Sequence, residues 1–190
     1  MKKILLIAII LFLVGCGNSE KYIDEAKLNK DQKEILKLTN IGDGNYRIYD
    51  FKVDDKAKKF KLNLYKRDKN EWVKYSGLHD VNFKETNGGR FLVYLSKGEF
   101  NFVFLDEDQG TVCLSSPLEI NEEEGIAYIS SYLSHRYDIK YNEEIPIGIY
   151  IFEDSNKSIE SVDVDEFFKT DRIDQNNYRE VYAVTIKFED

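Results

Sequence analysis

From Tyr46 onward, apolar and polar residues alternate with a period of two, and this pattern restricts the chain to strands with one buried and one wet face. Tyr49, Phe51 and Val53 are separated by polar residues. Phe60, Leu62 and Leu64 alternate with Lys61, Asn63 and Tyr65, and Tyr182, Val184, Ile186 and Phe188 alternate with partners that include Thr185 and Lys187. Phe91 to Leu95 and Phe100 to Leu105 are apolar at both parities, which predicts central strands covered on both faces. Turn chemistry punctuates these runs: Asp43-Gly44, Asn87-Gly88-Gly89, Lys97-Gly98 and Asp108-Gln109-Gly110, with Asp68-Lys69-Asn70 and Asp154-Ser155-Asn156 doing the same without glycine. Strands recurring every 8–12 residues with tight turns predict a mainly β fold, an antiparallel β-sandwich or barrel-like domain with one or two short helices.

Two helices compete for the remaining sequence. Leu28, Ile35 and Leu36 at i, i+7 and i+8 predict a weak amphipathic helix over Glu25 to Leu38, with a strand over Glu34 to Thr39 as the alternative. Ser161 to Thr170 predicts a short helix capped by Asp163, with Phe167 and Phe168 packing inward. Glu119 to Gly125 is an acidic loop and the best place for a subdomain boundary, but one continuous domain over 31–190 is the preferred division.

The first residues obey different rules. Met1-Lys2-Lys3 is a short basic start, and Ile4 to Gly15 is an uncharged run of 12 residues. As a helix that run rises about 18 Å, short of the ~30 Å hydrocarbon core. It reads as a signal peptide over 1–15, not a spanning helix. It ends in Leu13-Val14-Gly15-Cys16, which resembles the lipobox of bacterial lipoprotein precursors. The resemblance covers residues 1–16 only. It implies diacylglyceryl transfer to the Cys16 sulfur, cleavage between Gly15 and Cys16, and attachment to the outer face of the cell membrane, where two or more acyl chains anchor stably. Residues 16–30, polar and rich in small side chains, then read as the lipidated cysteine and a tether. The abundance of Lys, Ile, Asn and Tyr fits an AT-rich genome of the Gram-positive type.

Charge and cysteine content narrow the partners. The formal net charge is −8, and without Lys2 and Lys3 the mature chain carries about −10 (−8 minus 2). An acidic surface repels phosphate, so nucleic acid is not an expected partner, and attachment to a membrane falls to the lipid rather than to a basic patch. The chain has two cysteines, Cys16 and Cys113; if Cys16 is acylated, no internal disulfide can form. Cys113, between Val112 and Leu114, is expected as a small buried thiol.

The motifs point to no cofactor and to no named chemistry. There is no Gly-x-Ser-x-Gly elbow, phosphate loop or dinucleotide fingerprint. His79 and His135, the two histidines, form no zinc pattern and are expected at strand ends or surfaces. Asp106-x-Asp108-x-Gly110 matches the opening of a calcium loop, but the twelfth position is Pro117 where a glutamate would close it. That leaves Asp106 and Asp108 as a weak metal candidate beside the simpler reading of a solvated hairpin turn. Tyr65, Trp72, Tyr75 and Tyr94 are the candidate ligand-binding aromatics, since exposed rings can stack on sugars; the alternative is that Trp72 is core and the tyrosines cover it. The expectation is an anchored, non-catalytic β module that binds a protein, peptide or cell-wall glycan. The alternative is an anchored wall hydrolase using carboxylates such as Asp106, Asp108, Glu122 or Glu124.

Overall fold

The computed structural model describes residues 20–38, 45–82, 87–106, 110–120, 126–169 and 178–190, apart from the side chains of 77–79, 106 and 110. Among these residues eleven strands form in chain order: β1 (Tyr22–Glu25), β2 (Tyr46–Lys52), β3 (Lys59–Asp68), β4 (Glu71–Asn82), β5 (Gly88–Ser96), β6 (Glu99–Asp106), β7 (Gly110–Pro117), β8 (Ile126–Tyr132), β9 (Tyr137–Asp138), β10 (Ile145–Asp154) and β11 (Glu180–Glu189). Helix α1 (Lys30–Leu38) follows β1, and a 3-10 helix (Val164–Phe168) lies between β10 and β11. The strands make two sheets in which the pairings are antiparallel, ordered β7-β6-β5-β2-β1-β9 and β4-β3-β11-β10-β8. The mainly β sandwich expected from the alternation is therefore the fold.

The core lies between the sheets and is aromatic. The six-stranded sheet contributes Tyr49, Phe51, Phe91, Phe100, Phe102 and Phe104; the five-stranded sheet contributes Phe60, Tyr150, Tyr182 and Phe188. Rings cross the gap edge-on or tilted, as Phe60 does on Phe104 at 5.2 Å and Phe51 on Phe188 at 5.1 Å. The buried Tyr49 hydroxyl reaches the carbonyl oxygens of Leu133 (3.0 Å) and Ile147 (3.2 Å), donating from one sheet to the margin of the other. Burial pushes its pKa far up, so it stays a donor at any working pH. Lys97 and Gly98 both take positive φ (51° and 69°), as a two-residue hairpin between β5 and β6 requires.

Several expectations are corrected by the register. β5 and β6 are buried on one face only: Phe91, Val93 and Leu95 point inward, while Leu92 and Tyr94 between them are half-exposed. The strands covered on both faces are β10, in which Ile145 to Glu153 are all buried, and β11 over Val181 to Ile186. Cys113 is exposed rather than buried, because it pairs with Val103 on the outward parity of β7. The predicted helix over Glu25 to Leu38 is shorter, Lys30–Leu38. Asn29 and Gln32 set its start with reciprocal bonds of 2.9 Å, each side chain accepting the other's backbone N–H. The stretch read as tether contains β1, whose Ile23 is fully buried and whose pairing with β2 runs from Tyr22 to Glu25.

Candidate functional site

The four candidate aromatics do not share one surface. Tyr65 and Trp72 lie on the outer face of the five-stranded sheet and close around Phe167 of the 3-10 helix, with centroid distances of 5.4 and 5.1 Å. The Trp72 indole N–H donates to the Phe167 carbonyl oxygen at 2.8 Å, and the buried Arg67 guanidinium sits 5.3 Å from the Trp72 ring. Tyr75 packs instead on Tyr182, edge to face at 5.5 Å. Tyr94 is in the other sheet, opposite Tyr46 in the pairing with β2. The 3-10 helix itself forms where expected, with Asp163 Oδ1 accepting the Asp165 N–H at 3.0 Å, but Phe168 turns outward and only Phe167 is buried.

Among the described residues, no group of three or more His, Cys, Asp or Glu side chains is placed to hold a metal ion. Asp106 ends β6 opposite Gly110, and its side chain, Asp108 and Glu122 to Glu124 lie outside the described residues, as do Cys16 and the His79 side chain. His135 is exposed on the surface, its Nε2 3.9 Å from Asp165 Oδ2. A carboxylate that sequence reasoning passed over, Glu144, accepts from Asn63 Nδ2 (2.8 Å), the Tyr65 hydroxyl (3.1 Å) and the Thr185 hydroxyl. Desolvation and the adjacent Glu144 raise the Tyr65 pKa to about 12. The three donors satisfy the carboxylate, which pins the chain entering β10 to the sheet's outer face.

A concave surface with a mostly cationic lining lies elsewhere. A groove of about 420 Å³ runs between α1 and the adjoining ends of β1 and β2. Among the described lining residues, Lys27, Lys33, Lys37 and Arg47 bring four cations to it against one carboxylate, Glu25, and Leu28 and Ile48 add apolar surface. Arg47 Nε lies 3.8 Å from Glu25, and Lys30 pairs with Glu34 at 3.8 Å; Lys27, Lys33 and Lys37 take part in neither pair. Helix α1 contributes little to the core. None of its residues is buried, and Ile35 and Leu38 are 62% and 85% exposed. Gln32 and Leu36, one turn apart, are its half-buried positions, so Lys33 and Lys37 flank the contact line and reach the groove.

No family model, curated protein or solved structure matches this chain. No described helix is long and apolar enough to cross a membrane.

Arg47 links the groove to a sheet edge that is unpaired among the described residues. Its guanidinium lies 5.0 Å from the ring of Tyr132, the last residue of β8. The Tyr132 hydroxyl donates to the Asn45 carbonyl oxygen at 2.8 Å, which ties the end of β8 to the start of β2. Among the described residues, β8 is the outermost strand of its sheet, paired with β10 on one side only. It reads Ile126-Ala127-Tyr128-Ile129-Ser130-Ser131-Tyr132, with no charge, proline or glycine. The other edges are treated differently. β4 carries Glu71, Lys74 and Asp80 and two register shifts, and β9 is two residues long. β7 is also uncharged, but it packs beside β4 on the opposite side of the sandwich. Charges, bulges and short length are the usual means of closing an edge to pairing, and β8 has none of them.

Proposed function

We propose that this chain is the precursor of a bacterial lipoprotein, cut before Cys16 and held by acyl chains at the outer face of the cell membrane. Its β-sandwich is a non-catalytic module that binds a protein or peptide partner there. The anchor rests on Lys2-Lys3, the apolar run Ile4 to Gly15, and Leu13-Val14-Gly15-Cys16. β1 begins six residues after Cys16, so at most about 20 Å of extended chain separates lipid from domain. The module is therefore held close to the bilayer, and partners reach it from the wall side.

The binding reading is carried by one observation: a groove with four cations, in a chain of net charge −8, opening beside an uncharged strand edge. Local charge of opposite sign to the whole selects anionic groups that the rest of the surface repels. A protein or peptide is favoured over a wall glycan because Tyr65 and Trp72 are engaged with Phe167, and Tyr75 and Tyr94 lie apart from them.

The anchor is tested by expressing the full chain and its Cys16→Ser variant in a bacterium and washing membranes with carbonate. The natural chain stays in the pellet and the variant moves to the supernatant. Equal retention of both overturns the anchored reading.

A further inference from the structure

We infer that the edge of β8 left unpaired among the described residues accepts an extended peptide as a sixth strand of the five-stranded sheet, with carboxylates at one end of that peptide seated in the groove of Lys27, Lys33, Lys37 and Arg47. The inference rests on the module being a binding module and names what it binds. Among the described residues β8 pairs on one side only, its last residue stands under Arg47, and Arg47 lines the groove.

In an antiparallel ladder, alternate residues of a strand direct their N–H and C=O groups to each side. Seven residues of β8 pair with β10, from Ile126 opposite Asp154 to Tyr132 opposite Gly148. Half of the β8 backbone groups therefore point away from β10, enough for three or four residues of an added strand. Backbone pairing of this kind supplies affinity with little sequence preference, and the side chains beyond it supply selectivity. Here that selectivity is charge. A peptide running along β8 toward Tyr132 meets Arg47 first and the α1 lysines next. Carboxylates placed there answer cations whose one counter-charge among the described lining residues is Glu25.

A second copy of this chain is the less favoured occupant. Pairing β8 with its own copy joins about seven residues from each side, short of the ~1,000 Å² that a stable interface requires. It also leaves the groove cations unanswered and brings two chains of net charge −8 together.

The test uses the full chain in detergent micelles and fluorescent nine-residue peptides: three glutamates, three lysines or three serines, each followed by alternating threonine and valine. The glutamate-headed peptide binds at least about tenfold more tightly than the lysine-headed one. The double variant Lys33→Glu and Lys37→Glu, at two exposed helix positions, removes that preference and leaves the serine-headed peptide unaffected. N-methylation of alternate peptide residues separates edge pairing from simple charge attraction without touching the protein. Methyl groups in one phase abolish binding, and in the other phase leave it within about threefold, because only one phase faces β8.

Equal loss in both phases, indifference to the head charge, or no binding by any of the three peptides overturns the inference. So does a dimer in sedimentation that the glutamate-headed peptide dissociates, which makes a second copy the occupant. Saturation of the groove by a soluble anionic glycan, with no dependence on peptide N–H groups, likewise overturns it in favour of a glycan. None of these measurements reads membrane retention, so this inference and the Cys16 anchor can fail separately.

Discussion

The outer faces of the two sheets solve the same problem in opposite ways. On the six-stranded sheet the outward residues are left half-wet: Leu92, Tyr94 and Val103 stand between fully buried neighbours, and Asp50 and Arg90 pair across strands at 2.6 Å. On the five-stranded sheet the outward residues of β10 and β11 are fully covered at one end, where Phe167 and Val164 of the 3-10 helix descend on the sheet. Further along, that same face turns polar at Asn63, Thr185 and Glu144, and then charged at Lys59, Lys61, Lys187, Asp80 and Glu189. A sandwich needs one dry interface. The second, partial one is built where a crossover segment happens to carry the aromatic side chains that dry it.

The comparison is tested most severely at the shared core. Phe60 is fully buried and touches rings from both sheets, so Phe60→Ala costs about 3–5 kcal/mol in urea unfolding. Leu105, on the outward parity of β6 and 49% exposed, changes stability by no more than about 0.5 kcal/mol on mutation to serine. Comparable losses at both positions mean that the outer face of the six-stranded sheet is covered after all.

A sharper contrast sets Trp72 against Tyr94, one outward aromatic from each sheet. Trp72→Ala removes a stacked ring and the N–H bond to the Phe167 carbonyl, and costs about 2–3 kcal/mol. Tyr94→Ala costs about 1 kcal/mol or less. Hydrogen exchange gives the local signature: amides of 164–169 lose protection in the Trp72 variant, while those of β5 and β6 keep theirs. Equal stability losses at the two positions remove the distinction between a covered and an open face.

How much of this was legible in the sequence depended on whether parity alone decided burial. At Tyr49, Phe51, Phe60, Leu62, Leu64 and Phe188 it did, since each lies between the sheets and alternates with polar neighbours. At Cys113 the apolar neighbours Val112 and Leu114 suggested a buried thiol, but the parity of Phe102 and Phe104 on the paired strand puts the thiol outward. β5 and β6 misled because Leu92, Tyr94, Val103 and Leu105 are apolar without being covered. The run Ile145 to Phe152 carries nearly uninterrupted apolar residues, a signal of burial on both faces that alternation does not capture. The groove was not legible at all. Its cations come from β2, α1 and the link between β1 and α1, and only the fold brings Arg47 beside Lys33 and Lys37. The edge of β8 was hidden for the same reason: a strand's place in a sheet is a fact of topology, not of its own seven residues.

The smallest expected effect lies at the charged end of the five-stranded sheet, where no segment covers the outer face among the described residues. Glu189 is met by Lys187 at 3.0 Å, Lys61 at 3.0 Å and Lys59 at 3.3 Å, and Lys59 and Lys61 also reach Asp80. The lysines, Lys187 foremost, hold the Glu189 carboxyl down to a pKa of about 2. A carboxyl whose pKa is depressed by folding binds its proton more readily in the unfolded chain. It therefore contributes stability above its ordinary value of about 4.3 and loses that contribution as pH falls toward 2. Glu189→Gln melts below the natural chain at pH 7, and the gap in Tm narrows as the pH is lowered from 5 to 2. Added salt narrows it at neutral pH as well, since the cluster sits at the surface. One sheet face is thus held by charge at this end and by packing at the other. If the gap keeps its size across that pH range, the lysines around Glu189 contribute no charge-dependent stability, and the polar end of the face is only solvated.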